Sequence, residues 1–453
     1  MAAVAFPWAR GYNAAVKFQA VKGTRDFYPE DMVVRDWIFE RWHRVSRRNG
    51  FVEFDGPILE YLDLYRAKSG EGIVSELFHL EDRGGRELAI RPEMTPTLAR
   101  MVAARAGALP RPIKWYCVPR LCRGERPQRG RLREFFQWNI DILGEEGVIA
   151  DAECIYVVID FFRECGLKPE HVTVRINSRE LMAAVLRRAG FAAEQLAAIY
   201  ATLDARDKAP AEVFEKRLDD LGMTAAQKGT LLSLGGPERQ GEGGGGGLEQ
   251  VAPLVAGDEA GEREVGRLRE CFRLLGQLGV AEYCQFDTGV VRGLAYYTGI
   301  VFEAYGRGGL QRAICGGGRY DELVGLVGGQ PTPAIGFATS DVVIADLLNE
   351  FGLLTAAPPA LGVFVVDADE AHFERALSIV DQLRRANHQA VFSYRRQPLG
   401  KQFKAAAARG ARRVVIVDNL TAEQDRVILK DMDSGRQVEV TVASLLSDPF
   451  APL

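Results

Sequence analysis

The chain has 453 residues and a formal net charge of −4; 47% of its residues are hydrophobic and 26% are charged. Because domains usually hold about 100 to 200 residues, this length predicts two to three domains rather than one core. The sequence has no uninterrupted apolar segment at its start and no window of about 18 apolar residues, so we expect neither a secreted nor a membrane-spanning protein.

Cysteine and histidine usage narrows the chemistry further. The seven cysteines are scattered without a CxxC pair or a neighbouring histidine, which favours a cytoplasmic protein with reduced thiols and argues against structural zinc. The five histidines have no nucleophile or ligand partner in their sequence context, so catalysis by histidine is not expected. A nucleic-acid partner remains compatible with the net charge, because such binding depends on local basic clusters.

The first part of the chain, residues 1–177, reads as strands that follow strands. Apolar residues at three- and four-residue spacing predict a helix from Glu30 to Asn49. One short helix at 95–107 and another through 152–162 interrupt the strand-like runs, which lie at 51–61, 75–82, 86–93, 112–122, 135–144 and 172–177. This order indicates a mainly antiparallel sheet in an α+β domain.

Three further regions follow. Residues 178–279 are helical and polar and read as an inserted module, in which the tract Gly243–Gly247 is interpreted as a flexible loop, because no strand leads into it. Strand-like runs return in 280–355, which we assign to the first domain. In 360–453 strands alternate with helices, which predicts a small α/β domain with a partly parallel sheet. Its basic residues are either a solvated face or a phosphate-contacting patch: Lys401, Lys404, Arg409, Arg412 and Arg413.

Polar residues concentrate in a few segments. RPEMT at 91–95 places a carboxylate and a hydroxyl at the end of a strand, and RGERPQRGRLREF at 123–135 carries five arginines. In the strand that follows, Gln137, Asn139 and Asp141 alternate with apolar residues and so share one face. Either a wetted outer sheet face or a polar-lined ligand cleft explains this stripe.

A last segment, DTGVVRGLAYYTG with ICGGGRYDEL, contains Arg292 within a strand-like run. A buried arginine is costly unless an anion meets it, and Gly316–Gly318 allow a backbone or a ligand to approach closely. Arginines, carboxylates, tyrosines and glycines without a nucleophile and base pair suit phosphoryl or nucleotidyl transfer, where catalysis is mostly positioning and charge neutralisation.

These segments resemble a known family. RGERPQRGRLREFFQ resembles motif 2 of class II aminoacyl-tRNA synthetases, and VVRGLAYYTG and ICGGGRYDEL resemble two signatures of the histidyl-tRNA synthetase family. KGTRDFYPED, RPEMT and GKQFKAAAARGARRVVIV are similar to further segments of that family, in order along the chain. The resemblance implies an α+β, antiparallel-sheet catalytic domain with a helical insertion, and a C-terminal α/β anticodon-binding domain.

The resemblance also implies roles for individual residues. Arg123 would hold the α-phosphate of ATP, Glu125 would contact the adenine, and Arg292 would be the second cation, so that both arginines are catalytic. The histidine pocket would comprise Glu93, Thr95, Gln137, Asp141, Tyr296 and Tyr297. The loop that meets ATP and the acceptor end of the tRNA would contain Arg126, Gln128, Arg129, Arg131 and Arg133.

The implied reaction joins histidine to AMP, with release of pyrophosphate, and then transfers histidine to the 3′ end of tRNA(His). Mg²⁺ would accompany ATP, although no ligand cluster for it is visible in the sequence. The match of 30–61 to motif 1 implies a homodimer. The alternative is a non-catalytic paralogue such as the histidine-sensing regulatory subunit of ATP phosphoribosyltransferase, which generally lacks the anticodon domain.

Two positions depart from the family pattern. Val343 stands where motif 3 has its ATP-binding arginine, and Ala295 replaces the usual aspartate of the RGLDYY signature. The first change leaves open how the γ-phosphate side of ATP is held, and Arg319 and Arg312 are candidates to replace the missing cation.

Overall fold

The computed structural model describes residues 18–69, 77–128, 130–204, 216–218, 220, 221, 223, 224, 227–229, 247–290, 296–309, 313–356, 361–395 and 397–453. Several sequence-based expectations concern positions outside these residues, namely those for Arg129, Gly243–Gly246, Arg292, Ala295 and Arg312. The chain divides into two compact units, Met1–Ala356 and Ala357–Leu453.

The first unit contains the helices α1 to α10 and the strands β1 to β12. The helices are Pro29–Arg48 (α1), Leu62–Ser69 (α2), Thr95–Arg105 (α3), Val148–Glu164 (α4), Arg179–Arg188 (α5), Leu196–Asp204 (α6), Leu248–Val251 (α7), Glu259–Gln277 (α8), Leu323–Leu326 (α9) and Asp341–Glu350 (α10). The strands are Val52–Glu53 (β1), Leu59–Tyr61 (β2), His79–Glu81 (β3), Glu87–Ile90 (β4), Ile113–Cys117 (β5), Arg120–Cys122 (β6), Glu134–Leu143 (β7), Val172–Ser178 (β8), Cys284–Phe286 (β9), Ile300–Gly306 (β10), Ala313–Arg319 (β11) and Ala334–Ser340 (β12).

One large sheet dominates this unit. In the described residues its strands follow the order β1-β5-β7-β12-β11-β10-β8-β9, and β6 pairs with β7. All pairings are antiparallel except β1 with β5 and β8 with β9. The prediction of a mainly antiparallel sheet in an α+β domain is therefore confirmed.

The run 51–61 is not one strand, as the sequence suggested, but two strands in different sheets. β1 pairs with β5 in the large sheet, whereas β2 pairs with β4 in a three-stranded sheet of order β2-β4-β3. Pro57 lies between them and has no amide hydrogen to continue a ladder. The bend is held by Arg91, whose Nη1 donates to Asp55 Oδ1 and to the Gly56 carbonyl, both at 2.7 Å.

Two helices, α1 and α4, cover the apolar face of the large sheet. Trp138 of β7 stacks on Trp42 of α1 at 6.1 Å and packs edge-on against Phe161 of α4 at 5.3 Å. The indole N–H of Trp138 is satisfied by Ser46 Oγ at 2.9 Å. Because side chains alternate along a strand, this packing directs the polar stripe of β7 to the opposite face.

The second unit is an α/β domain with its own sheet, as the sequence predicted. Its strands are Leu361–Asp367 (β13), Ala390–Phe392 (β14), Ala411–Val417 (β15), Arg426–Asp431 (β16) and Gln437–Thr441 (β17), in the order β14-β13-β15-β16-β17. The first three are parallel, and β16 and β17 add an antiparallel hairpin that the sequence reading missed. Its helices are Phe373–Arg385 (α11), Leu399–Ala408 (α12), Asn419–Gln424 (α13) and Val442–Ser447 (α14). Among the described helices of both units, none is long and apolar enough to cross a membrane.

Candidate active site

A row of small residues across the large sheet forms the base of the candidate site. In register, Asp141 of β7 lies beside Gly336 of β12, which lies beside Gly318 of β11. A Cβ on Gly336 would lie 2.2 Å from Asp141 Oδ1, and one on Gly318 would lie 2.8 Å from Tyr297 Cδ1. Both positions therefore require glycine, since a methyl group would displace the side chain beside it. The close approach expected at Gly316–Gly318 is confirmed at Gly318.

Asp141 is a buried carboxyl group with one strong partner. It is 3% exposed, and the Tyr320 hydroxyl donates to its Oδ1 at 2.5 Å. Burial raises the pKa of Asp141 to about 7, although the Tyr320 hydrogen bond opposes this shift. Near neutral pH the carboxyl group can therefore exist in either protonation state. The sequence reading missed Tyr320, although it follows directly on the glycine run and Arg319.

The polar stripe of β7 is a buried feature, so the alternative of a wetted outer sheet face is wrong. Asn139 is only 3% exposed and donates to the Gln137 carbonyl at 3.1 Å. Gln137 itself is half-buried. A buried row of amide and carboxyl groups on one face of a strand is the arrangement expected of a polar ligand cleft.

Aromatic rings border the carboxyl group. The Tyr296 ring lies 4.6 Å from that of Tyr297 and 6.0 Å edge-on from that of Tyr320. Tyr297 is 6% exposed. The structure thus brings together Asp141 and the two tyrosines that the sequence assigned to one pocket.

The segment RPEMT joins this region through Arg123. Glu93 precedes α3, and Thr95 is the first residue of that helix. Arg123 Nε donates to the carbonyl of Pro92 at 3.1 Å, so the arginine is anchored to the backbone directly before Glu93. The guanidinium of Arg123 also lies over the Phe135 ring, 5.1 Å from its centroid.

Arg123 and Glu125 lie in the loop beyond β6, which ends at Cys122. Side-chain contacts fold this loop back on itself. Glu125 accepts an ion pair from Arg131 at 2.9 Å, and its carbonyl accepts from Arg133 Nε at 3.0 Å. Backbone pairing nevertheless continues one residue beyond β6, because Arg123 N donates to the Arg133 carbonyl at 2.8 Å.

The described residues of the loop 126–133 form a hairpin. Gln128 and Arg131 exchange two backbone hydrogen bonds of 2.9 Å, and Gly130 adopts φ +70°. Arg126 and Gln128 are exposed. Of the arginines that the structure describes in this run, Arg123, Arg131 and Arg133 contact Glu125, whereas Arg126 is exposed before the turn.

The segment of chain that leads to Arg292 is held by a residue that the sequence reading missed. Asn177, at the end of β8, is fully buried, and its Nδ2 donates to the carbonyls of Val290 at 3.1 Å and Thr288 at 3.3 Å. Arg175 on the same strand pairs with Asp287 at 3.2 Å. Two side chains of β8 thus hold the chain immediately before residues 291–295. A polar residue at the end of the apolar run VTVRIN was the available signal.

The structure tests one of the two arginines, Arg319 and Arg312, that could replace the arginine missing from motif 3. Val343 is 2% exposed and packs in the main core, whereas its neighbour Val342 packs beside Phe135. Arg319 does not replace the missing cation, because its guanidinium is buried in a two-point ion pair with Asp151, at 3.0 and 2.5 Å. Arg312 lies outside the described residues.

In the second unit, only part of the basic run reaches the surface. Lys401 and Lys404 are exposed on α12. Arg413 does not belong to a surface patch, since it is buried and pairs with Asp431 of the neighbouring strand. Tyr394, directly after β14, is 83% exposed and meets the ring of Phe392 edge-on at 5.2 Å.

Comparison with known proteins agrees with this geometry in both units. A family model described as histidyl-tRNA synthetase matches residues 23–341, and a model described as anticodon binding domain matches residues 361–448. The second match falls on the segment that the regulatory paralogue generally lacks.

Individual relatives match over nearly the whole chain. A histidine–tRNA ligase of Opitutus terrae is 38% identical and covers 96% of this chain and 99% of its own. The chloroplastic/mitochondrial histidine–tRNA ligase of Arabidopsis thaliana is also 38% identical, covering 96% and 87%. The crystal structure of histidyl-tRNA synthetase from Nostoc sp. PCC 7120 superposes with a TM-score of 0.78 at 25% identity, covering 96% of this chain and 99% of that one. The chain belongs to the histidyl-tRNA synthetase family.

Proposed function

We propose that this chain, an aminoacyl-tRNA ligase by family, activates histidine with ATP on the face of β7 that carries Phe135 and Asp141, and then transfers histidine to the 3′ end of tRNA(His). One observation carries the proposal: a buried carboxyl group and an anchored arginine share this face. The seven residues from Phe135 to Asp141 span about 20 Å of strand, which suits an extended histidyl-adenylate.

The Asp141 end of the cleft receives the imidazole. A buried carboxylate accepts a hydrogen bond from a ring N–H strongly, because the site is shielded from water. Tyr320 holds that carboxyl group in place through its 2.5 Å hydrogen bond. The other members of the pocket are Glu93, Thr95, Gln137, Tyr296 and Tyr297.

The Arg123 end of the cleft receives the phosphates. The carboxylate of histidine attacks the α-phosphate of ATP, and pyrophosphate leaves. Both reacting groups are anions, so Arg123 and Arg292 offset their repulsion and the charge that grows in the transition state. Glu125 and the ring of Phe135 hold the adenine. The Phe135 ring lies next to the phosphate-binding Arg123, whose guanidinium stacks over it, so the adenine and the phosphates can be bound side by side.

Magnesium enters with ATP rather than at a site built by the protein. Among the described residues, no three histidine, cysteine, aspartate or glutamate side chains come together to hold a metal ion. The described residues therefore offer no ligand set for a resident metal, and we assign the charge neutralisation to the arginines.

The tRNA meets the chain at two places. The exposed Arg126 and its loop, Gln128 to Arg133, contact the acceptor end, where cations neutralise phosphates. The second unit reads the anticodon, and Tyr394 beside Arg395 offers an exposed ring on which a base can stack.

All seven cysteines are free thiols. This agrees with a cytoplasmic location, where thiols stay reduced.

The chain works as a homodimer whose interface includes the three-stranded sheet. Leu59 and Tyr61 of β2 and Leu80 of β3 are 43%, 55% and 42% exposed, whereas Glu60 between them is only 6% exposed and pairs with Arg100. This is the reverse of the usual pattern on a solvated sheet, where polar side chains face the water. A second copy of the chain covers the apolar face.

Histidine-dependent exchange of pyrophosphate into ATP tests this function. The wild-type chain should catalyse it, and Arg292→Ala should abolish it while histidine affinity falls only modestly, because the arginine acts on the phosphate and the transition state. Arg307→Ala, an exposed arginine beyond β10, serves as the control and should retain full exchange.

Two results would count against the proposal. Histidine binding without any exchange in the wild-type chain would favour the regulatory paralogue. Equal losses of histidine affinity and of rate in Arg292→Ala would contradict the role given to that arginine.

A further inference from the structure

A network of buried charges lies behind the candidate site, on the helix side of the sheet. Asp151 at the start of α4 is completely buried and pairs with Arg319 at the end of β11. Arg319 also donates to the carbonyls of Glu145 at 3.1 Å and Gly147 at 3.3 Å. The guanidinium is thus fixed on several sides, as a buried charge requires.

The network extends into the helical insertion 178–279. Arg267 of α8 places its Nη2 3.6 Å from Asp151 Oδ2 and its Nε 3.5 Å from Glu264 Oε1. Glu264 is 2% exposed and accepts a hydrogen bond of 2.5 Å from Ser178 at the end of β8. Helix α8 is therefore attached to the catalytic sheet at two points, through Arg267 and through Glu264.

The same network reaches the histidine pocket through the backbone. Tyr320, which holds Asp141, follows Arg319 directly in the chain. On either side of this peptide, the Arg319 carbonyl accepts from Thr298 N at 2.8 Å, and Tyr320 N donates to the Ala334 carbonyl at 2.7 Å. Because both polar groups of this peptide are hydrogen-bonded, Arg319 and Tyr320 cannot turn independently of each other. The position of the Arg319 side chain therefore constrains where the Tyr320 hydroxyl lies.

In the buried part of the network two carboxylates face two guanidinium groups, and the more exposed Asp321 adds a longer contact to Arg319 at 3.5 Å. Asp151 and Glu264 are opposed by Arg319 and Arg267, and of the four Arg267 alone reaches the surface, with 24% of its side chain exposed. Loss of the Arg267 charge leaves a buried carboxylate without compensation, and the surrounding groups must then rearrange.

We propose that Arg267 is a positioning residue through which helix α8 of the insertion sets the geometry of Tyr320 and Asp141, and so the affinity for histidine. The inference rests on the proposed function, since it assigns histidine to the Asp141 pocket. It adds a role for the insertion, which would adjust amino-acid binding without touching the amino acid.

The test compares Arg267→Gln with Arg263→Gln, a matched variant one turn earlier on α8. Arg263 pairs with Glu180 at 3.2 Å, but both side chains are exposed. We expect Arg267→Gln to weaken histidine binding by about tenfold, within the usual range of coupling between sites, with the KM for ATP unchanged. Arg267→Lys should recover part of the affinity, and Arg263→Gln should match the wild type.

Isothermal titration with histidine, pyrophosphate exchange and a thermal melt give the three readouts. Unchanged histidine affinity in Arg267→Gln, or an equal loss of ATP affinity, would overturn the inference. If that variant does not fold, Glu264→Gln replaces it, because the amide keeps an acceptor for Ser178 while breaking the ion pair, and the same expectations apply. A wild-type chain that binds no histidine would instead refute the proposed function.

Discussion

Asp141 illustrates how a single buried residue sets the working range of the site. Its carboxyl group would normally be ionised at neutral pH, but burial brings its pKa to about 7. The ionised form accepts a hydrogen bond from the imidazole N–H of histidine far more strongly than the protonated form does. The affinity should therefore be complete above this pKa and be lost as the pH falls through it.

This leads to a pH prediction. We expect kcat/KM for histidine in pyrophosphate exchange to fall by about tenfold per pH unit below about pH 7, as the ionised fraction of Asp141 falls. Free histidine itself titrates near 6.5, so Asp141→Asn is the necessary control, because it retains the titration of the substrate and loses that of the carboxyl group. The same acidic limb in both proteins would show that Asp141 is not the titrating group.

At the residue scale, the sequence assigned residues to a pocket but did not show their surroundings. Alternation along β7 put Gln137, Asn139 and Asp141 on one face, yet periodicity does not say which face is covered. Arg319 looked like a free cation, because its partner Asp151 lies 168 residues away in the chain. Such pairings depend on the three-dimensional fold and leave no local signal.

At the element scale, the Arg319–Asp151 pair allows a comparison of buried and exposed ion pairs. The exposed pair Arg269–Glu249 has the same two-point geometry, at 2.8 and 2.5 Å, but both side chains are more than half exposed. Removing one partner of a buried pair typically costs about 3–5 kcal/mol, whereas an exposed pair contributes about 0–1 kcal/mol.

We therefore expect Arg319→Met to lower the free energy of unfolding by about 3–5 kcal/mol and Arg269→Met to change it by less than about 1 kcal/mol. Urea denaturation followed by tryptophan fluorescence measures both, since the tryptophans lie in the first unit. A similar, small effect for both variants would mean that the Arg319–Asp151 pair contributes little, because water solvates it or because Asp151 is protonated.

Helices and strands were predicted best where the hydrophobic periodicity extended over many residues. The helix expected at 30–49 is α1 at Pro29–Arg48, with Pro29 at its first position. The single strand at 51–61 was wrong: Pro57 marks a bend, but the sequence gives no sign that the segments on its two sides join different sheets. β9, with three residues, is too short for its periodicity to be recognised.

At the scale of the whole molecule, the apolar face of the three-stranded sheet predicts how the chain associates. Leu59→Glu should convert a dimer into a monomer, because a charge would be buried at the interface without a partner. Leu326→Glu is the control, since Leu326 is 54% exposed on α9. Size-exclusion chromatography with light scattering gives the mass of each, and a dimeric Leu59→Glu protein would place the interface elsewhere.

The overall architecture followed from the sequence because ordered, widely separated motifs restrict the fold more than any single element does. The change from strands in succession to alternating strands and helices predicted the α/β character of the second unit. The β16–β17 hairpin within it was missed, although the five residues of β17, QVEVT, alternate polar side chains with half-buried valines.

Gly336 limits how the amino-acid preference of this enzyme could change. No room for a side chain remains at Gly336 beside Asp141, since a methyl group there would lie 2.6 Å from the carbonyl oxygen of Ile140 on the strand of Asp141. A larger side chain there would displace the Asp141 carboxylate, to which we assign the imidazole of histidine, rather than reshape the pocket. Engineering of a different amino-acid specificity should therefore keep Asp141 and Gly336 and begin with substitutions at Tyr296 and Tyr297.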